Sequence, residues 1–200
     1  MSTRGSLRMI ALFSAVLLVA PFATAAEAEG FVKAKQGELL ELVRKSKGAA
    51  DDRKVEDAFD NVLDYDALAR ETLKEAWAER TPEERAEFQQ VLKKLVRGAY
   101  RKSLKRISDY TVEYKGESAA ENGQIVRTVA KSRNDARQEP VSIDYVVHQV
   151  DGKWRVADIV TEGSSLVANY RNQFRRIIKK DGFPALIKRM KAKLDKGDVN

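Results

Sequence analysis

The sequence has no cysteine and a single histidine among its 200 residues. The absence of cysteine excludes disulfide bonds, thiolate metal sites and an acyl anchor attached to a cysteine. With one histidine, the Cys/His nucleophile pairs of cysteine hydrolases and histidine-rich metal clusters are excluded as well. The motifs G-x-S-x-G, H-E-x-x-H, G-x-G-x-x-G and the P-loop are also missing. We therefore expect no catalytic residue, no metal site, no cofactor and no enzymatic activity.

Long apolar runs are equally scarce, and the longest lies near the N-terminus. Two arginines precede the apolar residues 9–20, and Ala23 and Ala25 then form the A-x-A cleavage pattern. A dozen apolar residues are fewer than the roughly 20 that span a bilayer, so we interpret the segment as a cleaved signal peptide. We expect residues 1–25 to be removed on export, and residues 26–200 to form one soluble, monomeric domain without an internal linker.

Positive charge is concentrated near the C-terminus. The formal net charge is +7, and residues 171–194 contain nine basic side chains against one acidic side chain, Asp181. Such a block indicates an anionic partner, either phosphate headgroups, an anionic membrane surface or nucleic acid, although a solvated helix face fits equally well. Export argues against nucleic acid.

Helical periodicity dominates the first half of the chain. Thr81, Pro82 and Glu84 occupy the N-cap, N1 and N3 positions of a capping box, and apolar residues then recur at helical spacing to about residue 107. Weaker helical patterns precede this one. The predicted helices are 31–47, 52–63, 66–78 and 82–107.

The apolar period changes to two over residues 110–156, with turn chemistry between the runs, including Asp151-Gly152. This pattern predicts an antiparallel sheet of about four strands. Two helices follow, one capped by Ser164 or Ser165 and ended by Gly182, the other over residues 184–194. The fold class is therefore α+β, with a sheet curved around helices in a form that can enclose an apolar cavity. The aromatic residues share the apolar faces of these elements, which suits a packed core and a ligand-filled cavity equally.

Five polar residues are candidates for acid/base groups, namely His148, Asp64, Asp66, Asp158 and Glu162, and a structural role is the simpler interpretation of each. His148 has the strand parity of the less apolar face, so it should point away from the core. Asp64 and Asp66 precede a helix and suit N-terminal caps. Asp158 lies in an apolar strand and suits a buried polar anchor.

Three segments after residue 153 carry a family resemblance. They read W-R-V-A-D-I over 154–159, E-G-S-S-L over 162–166 and N-Y-R-N-Q-F over 169–174. Together they resemble the C-terminal signature of the MlaC, or toluene-tolerance, family of periplasmic phospholipid-binding proteins. Upstream, Trp77 and the Thr81-Pro82 helix start also match that family. One departure is Ser164, where the family usually has an apolar residue.

The resemblance implies a periplasmic phospholipid carrier whose cavity holds acyl chains while the headgroup stays near solvent. Its implied partners are an outer-membrane lipoprotein–porin complex and an inner-membrane ABC transporter, and its implied role is to maintain outer-membrane lipid asymmetry. Three other functions remain open: an NTF2-like enzyme acting on a small hydrophobic molecule, a ligand-free periplasmic adaptor, and a carrier of hopanoid-type lipids.

Bulky apolar residues of the predicted helices and strands are the candidates for the cavity wall, and basic residues of the helices are candidates for headgroup or partner contact. The wall candidates are Leu68, Leu73, Trp77, Leu92, Val96, Tyr100, Val129, Ile143, Tyr145, Trp154, Leu166, Tyr170 and Phe174. The basic candidates are Arg97, Arg101 and Arg171, for which solvated charge is an equally good interpretation.

Overall fold

The computed structural model describes residues 27–107 and 109–196, with the side chains of residue 49 and of residues 101–107 left outside that description. The predicted signal peptide lies outside the described residues.

Within the described ranges, five helices precede the sheet and two follow it. They are α1 (Glu27–Lys45), α2 (Ala49–Asp60), α3 (Tyr65–Leu73), α4 (Glu75–Ala78), α5 (Pro82–Ile107), α6 (Leu166–Asp181) and α7 (Phe183–Asp195).

The longest helix, α5, begins at the capping box that the sequence predicts. The Glu84 amide donates to Thr81 Oγ1 at 3.2 Å, and the Thr81 amide donates to the Glu84 carboxylate at 3.0 Å. The predicted continuous helix over 66–78 is wrong, because it is interrupted after Leu73. Lys74 adopts φ 49°, a left-handed conformation that ends α3 and starts the short α4.

The sheet is an antiparallel meander in chain order, which confirms the α+β fold class. Its strands are β1 (Tyr110–Ala120), β2 (Gly123–Ser132), β3 (Val141–Val150), β4 (Lys153–Thr161) and β5 (Ser164–Ser165). The first four are the predicted strands. The fifth is a two-residue strand that pairs with the end of β4 and leads directly into α6.

Two irregularities bend this sheet. The β1–β2 register shifts between Tyr114 and Glu117, where Gly116 has φ 89°, and the β3–β4 register shifts between Val146 and Val147. Bulges of this kind increase local twist and curvature. The open sheet is therefore concave enough to hold helices and a cavity on one face.

The helices cover that concave face and form a packed core at one end. Phe88 of α5 is fully buried and meets the Phe174 ring of α6 edge-on, with 5.6 Å between centroids. The ring of Phe183, the first residue of α7, lies 6.2 Å from that of Phe88. Helix α5 packs on α1, α3 and α7.

The segment between α2 and α3 is tied to β4. Leu63 forms a parallel bridge with Val156, whose amide donates to the Val62 carbonyl at 2.8 Å. The Asp64 amide donates back to the Val156 carbonyl at 3.0 Å. These bonds fix the end of α2 against the sheet, and with it Phe59.

Candidate functional site

An apolar cavity lies between the concave face of the sheet and the helices α2, α5 and α6. Its volume is about 350 Å³, and it is partly open to solvent. A volume in the range of roughly 300–1,000 Å³ is typical of small-molecule sites. The lining residues are Phe59, Val96, Ala99, Tyr100, Ile143, Tyr145, Ile159, Thr161, Ser164, Leu166, Asn169 and Tyr170.

Aromatic and aliphatic side chains make up the enclosed part of the wall. Phe59 of α2 is buried and stacks on Tyr100 of α5, with ring centroids 3.9 Å apart. One turn before Tyr100, Val96 is also buried. Across the cavity, Tyr145 of β3 pairs in register with Ile159 of β4, so their side chains share the concave face. The interior therefore offers mainly apolar contacts.

The mouth of the cavity is polar. Thr161, Ser164 and Asn169 line the cavity and are solvent-exposed. The Asn169 side-chain amide donates to Ser164 Oγ at 3.0 Å. Ser164, the departure from the family pattern, thus belongs to the rim rather than to the packed core.

Asp158 fixes the helix that carries one side of the mouth. Its carboxylate accepts from Ser165 Oγ at 2.5 Å and from the Val167 amide at 3.1 Å. Ser165 is in turn the N-cap of α6 and accepts from the Ala168 amide at 2.9 Å. The prediction of a polar anchor is confirmed by these hydrogen bonds, although Asp158 is half-buried rather than buried. Its carboxylate holds β4 to the start of α6.

Burial also controls the ionisation of the cavity tyrosines. Desolvation, with a smaller contribution from the neighbouring Tyr100 and Tyr114, raises the pKa of Tyr145 well above its ordinary value. Desolvation raises the pKa of Tyr100 and of Tyr170 in the same direction. All three phenols therefore remain protonated and neutral at physiological pH.

Six of the thirteen wall candidates lie together around the cavity. They are Val96, Tyr100, Ile143, Tyr145, Leu166 and Tyr170.

The other seven wall candidates lie elsewhere. Leu68, Leu73, Leu92 and Phe174 belong to the packed core. Trp77 is half-buried beneath the guanidinium of Arg85, 5.2 Å from its ring. Trp154 lines an open surface groove beside His148, and Val129 has the strand parity opposite to the buried residues of β2.

Sequence reasoning missed the other six residues of the cavity lining. Ile159 and Thr161 have the strand parity of the concave face, so alternation along β4 could have identified them. Phe59 lies on the apolar stripe of its helix. Ala99 lies on the apolar stripe of α5, but its small side chain did not distinguish it as a wall residue. Ser164 and Asn169 carry no such signal, because polar residues are ordinary on any surface.

Two of the three basic candidates are engaged within the protein. Arg97 Nε donates to Asp60 Oδ1 at 2.7 Å, and Lys93 Nζ lies 2.6 Å from Asp60 Oδ2. Arg171 Nε donates to the backbone carbonyl of Glu71 at 2.7 Å. The side chain of Arg101 lies outside the described residues.

The remaining acid/base candidates have structural contacts outside the cavity. Asp64 is the N-cap of α3, as predicted, and accepts from the Ala67 amide at 2.8 Å. Its second oxygen lies 2.8 Å from His148 Nε2. Asp66 instead accepts from Gln89 Nε2 at 2.6 Å. Among the described side chains, no group of three His, Cys, Asp or Glu residues could hold a metal ion.

In the described part of the chain, no helix is both long and apolar enough to cross a membrane.

No curated protein matches the sequence. A similar solved structure is the phospholipid-binding protein from Ralstonia solanacearum in complex with a phospholipid, with a TM-score of 0.73 and 24% identity. The match covers 85% of this chain and 98% of that one, and it shows a shared fold.

A family model matches most of the chain. The model described as MlaC protein aligns with residues 34–192, which extend from within α1 to within α7. The chain belongs to the MlaC protein family.

Proposed function

We propose that this protein is a phospholipid carrier that holds acyl chains in the cavity between α5 and the sheet. The observation that carries the proposal is the cavity itself, since its walls are aromatic and aliphatic while its mouth is polar. A ligand that suits both parts has hydrocarbon chains and a hydrated headgroup. The phospholipid bound by the Ralstonia solanacearum protein has this chemistry.

The energy of the chains explains why a carrier needs such walls. Each buried methylene is favoured by ~0.8 kcal/mol, so two chains of roughly 16 carbons would cost on the order of 25 kcal/mol in water. On transfer from a bilayer to the cavity, the chains exchange one apolar environment for another. Their contribution to the free energy of transfer therefore nearly cancels. Cavity binding therefore sets no direction of transport, and partners must supply it.

The size of the cavity bears on how much of a lipid it can hold. A methylene occupies about as much space as a water molecule, roughly 30 Å³, so a 16-carbon chain fills about 500 Å³. The cavity, about 350 Å³ in volume and partly open to solvent, is therefore of the scale of one such chain.

Membership of the MlaC family supports a proposal for the compartment and the partners of this lipid transfer. We propose that the protein is exported to the periplasm and passes phospholipid between an outer-membrane lipoprotein–porin complex and an inner-membrane ABC transporter. This traffic would maintain the lipid asymmetry of the outer membrane.

The test is to purify the mature protein from bacterial cells and record its native mass spectrum, followed by solvent extraction and identification of lipids. We expect a folded protein with co-purifying phospholipid in stoichiometric amount. A folded protein without any lipid would overturn the carrier and favour the ligand-free adaptor. A hopanoid in place of phospholipid would reassign the cargo.

A further inference from the structure

The cavity is lined by two tyrosines whose hydroxyls have no hydrogen-bond partner among the described residues. Tyr145 of β3 and Tyr100 of α5 line the cavity from opposite sides, and Tyr145 is only 8% exposed. Neither phenol oxygen has a hydrogen bond to any residue in the described part of the chain. Tyr114, by contrast, donates its hydroxyl to Gln36 Oε1.

A buried hydroxyl without a partner is unusual, because its lost hydration is normally replaced by a protein hydrogen bond. Over the described residues, no polar side-chain atom is both enclosed and unpaired. The Tyr145 hydroxyl must therefore reach free space, and the free space along its side chain is the cavity. It is placed to donate to a group that enters with the ligand.

The depth of Tyr145 indicates which part of a lipid it meets. Its neighbour on the same face, Ile143, pairs with Thr161 at the mouth. Tyr145 lies two residues further along β3, about 7 Å deeper. In a diacyl phospholipid the ester carbonyls lie directly below the glycerol phosphate, so a headgroup held at the rim brings these carbonyls to the level of Tyr145.

We infer that Tyr145 is a donor site for an ester carbonyl oxygen of the lipid, with Tyr100 across the cavity as a second donor, and that the cavity thereby selects ester-linked chains. The inference rests on the proposed function and deepens it. The carbonyl oxygen accepts the phenolic proton in a hydrogen bond, and no bond of the lipid is broken. Both phenols are protonated at physiological pH, as an ordinary tyrosine is, and burial raises the pKa of each further, so the donors are present throughout that range.

The experiment compares two lipids that differ only at the carbonyls. Delipidated wild-type protein and its variants would be titrated with dipalmitoyl phosphatidylglycerol and with its dihexadecyl ether analogue, which has the same headgroup but no carbonyl. The variants are Tyr145→Phe and Tyr100→Phe, which keep the rings and remove the hydroxyls. Tyr114→Phe is the matched control, since its hydroxyl is bonded to Gln36. Thermal unfolding would establish that each variant is folded.

We expect the wild type and Tyr114→Phe to bind the ester lipid about five- to tenfold more tightly than the ether lipid, as one neutral hydrogen bond allows. In Tyr145→Phe the ratio should fall to about twofold or less through weaker binding of the ester lipid alone, and Tyr100→Phe should reduce it partly. Equal binding of the two lipids by the wild type would overturn the inference and leave the carrier standing. The inference is likewise overturned if folded Tyr145→Phe keeps the wild-type ratio. Failure of the folded wild type to bind either lipid would overturn the proposed function itself.

Discussion

Phe59 and Tyr100 stack face to face at the cavity wall, with ring centroids 3.9 Å apart and planes inclined by 24°. The pair joins α2 to α5, two helices that are separated in sequence by α3 and α4. Aromatic stacking of this kind contributes roughly 0.5–1.5 kcal/mol beyond the burial of the rings. The contact thus holds the helical side of the cavity together without a polar group.

Replacing Phe59 with alanine should destabilise the protein by about 3 kcal/mol, because it removes a buried ring together with its stacking on Tyr100. Urea unfolding followed by circular dichroism would measure the change. Tyr100→Phe is the control, since it keeps the stack and should change stability by less than about 1 kcal/mol. Similar stabilities for the two variants would show that the stack is unimportant.

A charge inside the cavity should abolish lipid loading. Ile159→Lys places an ammonium group among apolar walls at the level of Tyr145, where burial of an unpaired charge costs several kcal/mol, so co-purifying lipid should fall at least tenfold. The matched control is Val129→Lys on the other face of the sheet, opposite Glu113 in register. Quantitative lipid extraction would measure both. Equal loss of lipid in folded Val129→Lys would contradict the assignment of the cavity face.

Asp158→Asn should loosen the start of α6. The carboxylate accepts three hydrogen bonds, from Ser165 Oγ and from the amides of Ile159 and Val167. Bonds to a charged acceptor are worth about 1.5–3 kcal/mol, so we expect a loss of about 2 kcal/mol and faster hydrogen exchange at the Val167 and Ala168 amides. Ser164→Ala, at the exposed rim, is the control and should alter neither measurement appreciably.

The contacts of Asp60 with Arg97, Lys93 and Tyr65 should make the stability of the protein depend on pH in the acidic range. Burial raises the pKa of the Asp60 carboxyl, but hydrogen bonds from Arg97, Lys93 and Tyr65 outweigh this, and the pKa lies below its ordinary value. A depressed carboxyl pKa stabilises the folded state above the unfolded pKa of about 3.9, and this contribution disappears as pH falls through the folded value.

We therefore expect Asp60→Asn to be about 1–3 kcal/mol less stable than the wild type at pH 7 and nearly equal to it at the lowest pH at which both fold. Urea unfolding across acidic pH would measure the difference. Asp57→Asn, at an exposed position on the same helix, should be about as stable as the wild type at every pH. A difference in Asp60→Asn that is constant with pH would contradict this role of the Asp60 carboxylate.

Elements set by local chemistry could be predicted from the sequence. The start of α5 follows from the Thr81–Glu84 capping box, and the hairpin between β3 and β4 follows from Asp151-Gly152, which adopt φ values of 50° and 72°. The break at Lys74 could not be predicted, because lysine has no preference for the left-handed conformation that it adopts there.

The cavity wall was predictable only in part, for a physical reason that Leu92 and Val96 illustrate. They are one turn apart on the inner face of α5 and are buried to 1% and 4% exposure. Leu92 belongs to the core and does not line the cavity, whereas Val96 does. Periodicity assigns a side chain to one face of its helix. Whether the space beside that face is filled by other side chains or left as a cavity depends on elements that are distant in sequence. Phe174 is a similar case, since the rings of Phe88 and Tyr170 lie against it.

The cavity wall runs from Phe59 in α2 to Tyr170 in α6, with the whole sheet in between. A chain is synthesised from its N-terminus, and domains fold as their segments emerge. The meander can pair hairpin by hairpin, but no shorter chain than one reaching α6 can surround a ligand on all sides. The capacity to sequester hydrocarbon therefore arises only once α6 is present, so a chain that stops before α6 cannot trap lipid.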